Sequence, residues 1–282
     1  MKYYIVIPAH NEADFITETL KSITTQTLLP AKVVIVNDNS TDTTARIAKG
    51  FCEKYNYISL VNKVSDTVHM PGSKVIEAFN YGYETLDENY DLIVKLDADL
   101  ILPHNYFEVI MKHFENNDRA GIAGGFAYIE QNGGWLKESL TDNDHVRGAF
   151  KAYRKECFLQ IGRLKPAMGW DTADELLARY YNWNVVTDSS LQVKHLKPTG
   201  KNYNKQARYK QGEAFYALGY GFLITAVASA KLALKKKNPL LFLDYIKGYF
   251  KARNSGKPML VTPKQAKFIR KYRWKKMKEK LF

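Results

Sequence analysis

Two aspartates, Asp97 and Asp99, follow a short apolar run that ends at Leu96. Side chains two residues apart on a β-strand point to the same face, so we expect both carboxylates at the carboxyl end of a strand. Ligands bind open α/β sheets at that edge. Two carboxylates there suit a hard divalent cation, Mg²⁺ or Mn²⁺, which keeps other positions for water and phosphate oxygens. The same spacing in Asp142-Asn143-Asp144 lacks a preceding apolar run and predicts a solvated loop.

A second polar segment lies at residues 37–42, directly after another apolar run. Most of it is typical of an Asx-turn that leads into a helix capped by Ser40 or Thr41. The turn does not explain Asp38, whose carboxylate would lie at the same sheet edge as Asp97 and accept a hydrogen bond from a base or sugar. The sequence contains neither the glycine-rich dinucleotide motif nor the P-loop motif.

The elements that must position these residues alternate between strand and helix patterns. Short apolar runs predict strands at 3–7, 32–36, 58–62 and 92–96, with helices between them, including 71–86. Continuous apolar strands that alternate with helices indicate a mostly parallel sheet covered on both faces, which is an α/β fold. Further along, the patterns predict a helix at 176–183, strands at 184–186 and 191–195, and helices beyond 212.

The net charge of +13 is concentrated at one end of the chain. Residues 231–282 hold 17 basic and 2 acidic residues, whereas residues 1–230 carry a net charge of −2. This distribution excludes a uniformly basic nucleic-acid-binding body and predicts a basic C-terminal extension. Only two cysteines are present, Cys52 and Cys157, which excludes a disulfide framework or a cysteine-rich zinc site and is typical of a reducing compartment.

Four segments whose residue types suit ligand binding or catalysis occur in order along the chain. They are Pro8-Ala9-His10-Asn11-Glu12, residues 36–42, the spaced residues Gly72, Lys74, Ala78, Asn80 and Gly82, and Asp97-Ala98-Asp99. Together they resemble the family 2 glycosyltransferases. The resemblance implies a GT-A fold, a Rossmann-like mostly parallel sheet flanked by helices, over residues 1–211. Its donor half would span about 1–120 and its acceptor half about 121–211, with 212–282 as a basic helical extension.

The resemblance also implies an inverting transfer from a nucleotide-sugar, usually a UDP-sugar, to a glycan or lipid-linked acceptor. The nucleotide-sugar site would comprise Pro8, Ala9, His10, Asn11, Glu12, Asp38, Lys74, Asp97 and Ala98. Asp99, assisted by Asp97, would bind Mn²⁺ or Mg²⁺, which neutralises the diphosphate leaving group. His195 is either a third metal ligand or a structural histidine. The family more commonly has a tyrosine at the position of His10 and an aspartate at the position of Asn37. GDP or another nucleotide therefore stays open as the sugar carrier.

An inverting transfer needs a general base for the proton of the acceptor hydroxyl. The resemblance points to the acidic residues Asp171, Asp174 and Glu175 at the start of a helix. Asp174 is the preferred base, and Glu175 and Asp171 stay open. The alternative interpretation is an acidic first turn that caps the helix.

The basic extension mixes aromatic and basic side chains, which is typical of a segment that lies on an anionic membrane surface. We therefore expect a cytoplasmic protein that is peripheral to the membrane and does not bind nucleic acid. No signal peptide is visible, and the uncharged stretch 214–230 is shorter than the roughly 20 residues of a membrane span. The alternatives are a nucleotidyltransferase on a similar sheet and a non-catalytic basic adaptor for membranes or nucleic acid.

Overall fold

The computed structural model describes residues 1–65, 72–138, 143–197 and 207–279. The contacts divide the chain into two units. The first comprises residues 1–166 and 181–199, and the second comprises residues 167–180 and 200–282. The boundary expected near residue 211 stays a prediction.

The first unit holds nine strands and five helices within the described residues. The strands are β1 (Tyr3–Ala9), β2 (Lys32–Asp38), β3 (Ile58–Lys63), β4 (Leu92–Leu96), β5 (Leu100–Ile101), β6 (Ala120–Gln131), β7 (Gly134–Lys137), β8 (Phe150–Arg154) and β9 (Asn184–His195). The helices are α1 (Ile16–Thr24), α2 (Thr44–Lys54), α3 (Ser73–Tyr83), α4 (Tyr106–Glu115) and α5 (Lys155–Gln160).

The strands form one sheet in the order β3-β2-β1-β4-β8-β6-β9-β5, with β7 paired to β6. β3, β2, β1 and β4 are parallel, and β6 is parallel to β9. β8 runs antiparallel to both β4 and β6. β1 and β4 are buried along their whole length, which explains their uninterrupted apolar sequences. The expected α/β fold is confirmed.

The parallel register brings three loops to one edge of this sheet. Ala9, at the end of β1, is opposite Asn37 of β2, and Val6 is opposite Lys95 of β4. The segments that follow β1, β2 and β4 therefore leave the sheet side by side. These segments carry most of the predicted site residues.

Three element boundaries differ from the sequence-based expectation. The two strands predicted at 184–186 and 191–195 form a single strand, β9. Its pairing with β6 is irregular between Gly124 and Phe126. The acidic segment lies within a helix that begins at Trp170, earlier than 176. Helix α2 begins at Thr44 with Thr43 as its N-cap residue, and the Asp42 carboxylate in the preceding turn accepts the Thr44 N–H at 2.9 Å. Ser40 and Thr41 belong to the preceding loop.

The second unit is helical in the described residues. Its helices are α6 (Trp170–Tyr180), α7 (Ala207–Ala217), α8 (Gly221–Lys235), α9 (Leu240–Asn254) and α10 (Pro263–Glu279). Helix α10 packs against α6 through ring contacts such as Tyr180 with Phe268, whose centroids are 5.4 Å apart. Within the described ranges, no helix has the length and apolar character needed to cross a membrane.

Candidate functional site

Hydrogen bonds join the loops that follow β1 and β2. Asn11 has a left-handed backbone (φ +53°), which asparagine tolerates better than most residues. Its N–H donates to Ser40 Oγ at 3.1 Å, and its side-chain Oδ1 accepts the Thr41 N–H at 2.8 Å. The turn residues after β2 therefore also support the loop after β1. Pro8 and Ala9 are the last, buried residues of β1.

Asp38 lies at the end of β2 with its side chain almost fully buried. Its Oδ1 is 3.8 Å from Lys63 Nζ and has no hydrogen-bond partner among the described residues. The exposed His10 ring donates from Nδ1 to the Asp38 carbonyl oxygen at 2.5 Å. A buried carboxylate oxygen with an unused acceptor position would readily take a hydrogen bond from a hydroxyl or N–H of a ligand.

The segment Asp97–Asp99 is fixed by its backbone. The Asp97 N–H donates to the Ala149 carbonyl at 2.8 Å, and the Ala98 carbonyl accepts the Thr19 hydroxyl at 2.8 Å. The Leu196 N–H donates to the Asp99 carbonyl at 2.8 Å. These bonds hold the two aspartates at the sheet edge, as their position after an apolar run predicts.

The two aspartates have different partners. Asp97 is ion-paired with the buried Lys95, yet burial, together with the neighbouring Asp99 carboxylate, raises the pKa of Asp97. Asp99 Oδ2 is 3.2 Å from His195 Nε2, and both side chains are almost fully buried. They meet because Leu100 of β5 pairs with His195 at the end of β9. Burial lowers the pKa of His195, but the Asp99 carboxylate more than offsets this, so the net shift is upward.

Glu12 belongs to the same group of charges. Burial raises its pKa, an effect that Lys197, 2.8 Å from Glu12 Oε1, only partly offsets. The Asp99 and Asp97 carboxylates raise it further. Glu12 Oε2 and His195 Nδ1 have no hydrogen-bond partner among the described residues. Glu12 therefore lies within electrostatic reach of both aspartates and has a buried carboxylate oxygen to which no described residue donates.

A divalent cation fits the donor set of Asp99 and His195. No group of three or more His, Cys, Asp or Glu residues in the described part of the chain could hold a metal ion by itself. Mg²⁺ is often held by only one or two protein carboxylates, with substrate phosphates and water completing its shell. The unpartnered buried atoms and the raised carboxyl pKa values fit such a cation.

Further charged residues surround this group. Lys74 lies in the first turn of α3, half-buried. Arg147, paired with the buried Glu138 at 3.1 Å, lowers the pKa of His195 through its charge. Lys63, Lys95 and Lys197 also pair with predicted site residues. Sequence reasoning missed these cations, although Lys95 stands out as a single charge within an apolar strand.

The three base candidates lie in the second unit, on α6. Asp174 and Glu175 are buried, whereas Asp171 is partly exposed. The Glu175 N–H donates to Asp174 Oδ1 at 2.6 Å, and Glu175 Oε2 is 3.3 Å from Arg179. Burial raises the pKa of the Tyr220 hydroxyl, an effect that Arg273 partly offsets and the Asp171 charge slightly increases. The predicted site residues thus form two groups, one in each unit.

The chain matches a known protein family and curated relatives in sequence. The family model described as "Glycosyl transferase family 2" matches residues 4–168. The probable glycosyltransferase YdaM of Bacillus subtilis (strain 168) is 31% identical over 211 residues, which are 64% of this chain and 47% of that protein. The chain thus spans about half the length of this relative.

Two solved structures share the fold. The mannosyltransferase PcManGT of Pyrobaculum calidifontis, in complex with GDP-Man and Mn²⁺, is 16% identical with a TM-score of 0.57, covering 89% of this chain and 69% of that one. TarS of S. aureus, in complex with UDP-GlcNAc, is 17% identical with a TM-score of 0.58, covering 80% and 66%. The expected GT-A fold and the resemblance to the family 2 glycosyltransferases are confirmed. The family match decides against the nucleotidyltransferase alternative.

Proposed function

Because the chain belongs to glycosyl transferase family 2, we propose that it transfers a sugar from a nucleotide-sugar to a hydroxyl of a glycan or lipid-linked acceptor, with inversion. The observation that carries this proposal is the buried pair of Asp99 and His195, with Glu12 and Asp97 beside it. We propose a UDP-sugar as donor. GDP stays open, because one structural relative holds UDP-GlcNAc and the other GDP-Man.

Each residue at the sheet edge has a role in donor binding. Asp38 Oδ1, which has no hydrogen-bond partner among the described residues, would accept a hydrogen bond from the ribose or base, and the exposed ring of His10 would lie against the base. Lys74 would pair with the diphosphate. Asp99 and His195 would hold Mn²⁺ or Mg²⁺, assisted by Asp97; when bound, such a cation neutralises the charge of the leaving diphosphate. The Mn²⁺ in the structurally similar mannosyltransferase supports a divalent cation in this proposal.

Asp174 is our proposed general base, with Glu175 and Asp171 as alternatives. A carboxylate in this role takes the proton of the acceptor hydroxyl as the new glycosidic bond forms. Asp171 and Asp174 are three residues apart on α6, and therefore on one face of that helix. This face of α6 therefore carries two carboxylates, either of which would act as the general base.

The acceptor and location belong to the proposal as well. We propose that the protein acts at an anionic membrane surface on the cytoplasmic side, which the basic C-terminal residues would contact. Of the 52 residues from 231 to 282, 17 are basic, and membrane-surface potentials attract such segments.

Two measurements on two variants test the mechanism. Donor binding is measured as the thermal shift produced by a UDP-sugar with Mn²⁺, since a ligand that binds the folded state raises its stability. Turnover is measured as UDP release. Asp99→Ala is expected to lose both. Asp174→Asn is expected to keep the thermal shift and to lose at least about 100-fold in turnover, the usual contribution of a general base.

Asp144→Ala is the matched control, because this exposed aspartate belongs to the second Asp-x-Asp sequence, which lacks a preceding strand. It is expected to match the unmodified protein in both assays. If Asp99→Ala and Asp174→Asn still release UDP at the unmodified rate, the proposed mechanism is wrong. A thermal-shift screen of UDP-, GDP- and dTDP-sugars with Mn²⁺ would identify the nucleotide.

A further inference from the structure

Helix α8 exposes an apolar face. Leu223, Val227, Ala230 and Leu234 are spaced by four, three and four residues, which places them on one side of the helix. Leu223 is 65% exposed and Leu234 is 79% exposed. The buried residues of α8, which include Ile224, lie on its other side. A soluble amphipathic helix normally shows the opposite arrangement, with its polar face outward.

Helix α9 continues this surface. Leu240, Leu243 and Phe250 are exposed, whereas Tyr245 and Tyr249 are buried. The Phe250 ring contacts Phe222 of α8, with centroids 5.5 Å apart. Exposed apolar side chains of α8 and α9 therefore meet at this end of the hairpin. We call this surface the hairpin face, formed by Phe222, Leu223, Val227, Leu234, Leu240, Leu243 and Phe250.

Positive charge accompanies the hairpin face. Residues 221–254 contain seven basic residues and a single acidic one, Asp244. Lys235, Lys236 and Lys237 are consecutive and exposed at the turn between the helices, directly beside Leu234. The surface thus combines apolar side chains with a cationic end.

We propose that the hairpin face docks on an anionic lipid surface, with its apolar side chains in the interface and its lysines among the headgroups. Amphipathic helices rich in lysine bind membranes this way, by apolar burial together with attraction to anionic lipids. A second copy of this chain is a poorer occupant, because it would bring two lysine-rich surfaces together. The inference rests on the proposed membrane association, and assigns it to one surface.

Helix α10 is basic as well, but part of it is already packed. Gln265, Ala266 and Ile269 are buried, and Phe268 contacts Tyr180 of α6. The membrane contact is therefore assigned to the hairpin rather than to the final helix. This assignment separates two basic segments that the sequence pattern treats alike.

Vesicle sedimentation of the full chain tests the proposal. Vesicles of phosphatidylcholine alone are compared with vesicles of equal parts phosphatidylcholine and phosphatidylglycerol. The chain is expected to sediment with the anionic vesicles only. Leu223→Ser with Leu234→Ser and Leu240→Ser is expected to weaken binding at least about tenfold. Lys235→Gln with Lys236→Gln and Lys237→Gln is also expected to weaken binding at least about tenfold, because each of these lysines adds to the attraction towards anionic headgroups.

Each variant has a matched control. Val64→Ser with Leu136→Ser changes exposed apolar residues of the first unit, and Lys264→Gln with Lys267→Gln and Lys271→Gln changes three exposed lysines of α10. Both controls are expected to bind better than the corresponding hairpin variants. Unchanged binding of the leucine variant would overturn the proposal. The proposal would also be overturned if the unmodified chain bound no vesicles but formed a dimer, and the leucine variant were a monomer. In the absence of vesicles, the hairpin variants are expected to release UDP at the unmodified rate. A failure of the membrane-docking proposal is therefore distinct from a failure of the transferase mechanism.

Discussion

Lys95 is buried in β4 and ion-paired with Asp97, directly after the end of that strand. Removing Lys95 leaves the partly exposed Asp97 carboxylate without this ion-pair partner. Lys95→Met is expected to destabilise the protein by about 1–2 kcal/mol and to weaken the donor-induced thermal shift. Chemical denaturation and a donor titration measure the two effects.

Lys112→Met is the control for this prediction. Lys112 pairs with Glu108 at 2.7 Å on the exposed surface of α4, where such pairs contribute about 0.5 kcal/mol. If the two variants lose the same stability, the Lys95–Asp97 pair has no special role at the site.

His195→Gln tests the pair formed with Asp99. Glutamine keeps a polar side chain in place but removes the imidazole nitrogen that faces Asp99 Oδ2 at 3.2 Å. Mn²⁺ affinity, measured by calorimetry in the presence of UDP, is expected to fall at least about tenfold. His113→Gln serves as a control, because His113 pairs with Asp188 instead. Equal Mn²⁺ affinity in both variants would make His195 a structural histidine.

Sequence reasoning was most successful where local pattern decides the structure. Strand β4 has the predicted bounds, 92–96, and the carboxylates after it lie at the sheet edge as expected. The sequence predicts two strands here because the polar run Asp188–Ser190 interrupts the apolar pattern, whereas β9 continues through that run and pairs with β6 on either side of it. Long-range pairs such as Lys63 with Asp38 could not be predicted, since nothing in local spacing records them.

The ion pair between Asp87 and Lys32 predicts a pH effect on stability. Lys32, with help from the Tyr4 hydroxyl, lowers the pKa of Asp87 well below its usual value. A lowered folded-state pKa stabilises the fold above the unfolded pKa of about 3.9, and this contribution is lost as the pH falls through the folded value. Asp87→Asn is therefore expected to lower the melting temperature at pH 7. The difference from the unmodified protein should shrink as the pH falls below about 4.

The exposed Asp14 provides the comparison for this titration. Asp14→Asn is expected to leave the melting temperature at pH 7 nearly unchanged. A difference for Asp87→Asn that stays constant down to the acid transition would contradict the proposed linkage.

Two glycines let α7 and α9 approach each other backbone to backbone. A Cβ on Gly212 would lie 1.8 Å from the Tyr245 carbonyl oxygen, and one on Gly248 would lie 2.0 Å from the Tyr209 carbonyl oxygen. Gly212→Ala is expected to destabilise the protein by about 3 kcal/mol, because backbone cannot yield as a side chain does. Gly50→Ala, in α2 with nothing within 4 Å of its Cβ, is expected to stabilise by about 0.5–1 kcal/mol. Urea denaturation of both variants checks the contrast in sign.

The contact between α10 and α6 predicts an effect of the last helix on the proposed base. Phe268 packs on Tyr180, and Arg179 lies over the Tyr272 ring while it pairs with Glu175. Phe268→Ala is expected to lower stability by about 1 kcal/mol and to reduce UDP release while the donor thermal shift persists. Trp274→Ala, on the same helix but more exposed, is the control. A loss of donor binding in the Phe268 variant would contradict this division of roles.

The position of β9 has a consequence for how the chain folds. β9 pairs with β6 in the first unit, yet α6 of the second unit lies between them in sequence. During synthesis, β6 leaves the ribosome before β9, the strand that pairs with its edge. This edge stays unpaired until α6 and then β9 have been synthesised. Unpaired strand edges of this kind favour aggregation of nascent chains. We therefore expect a fragment that ends near residue 168, where the family match ends, to be insoluble, and the nascent protein to depend on chaperones over that interval.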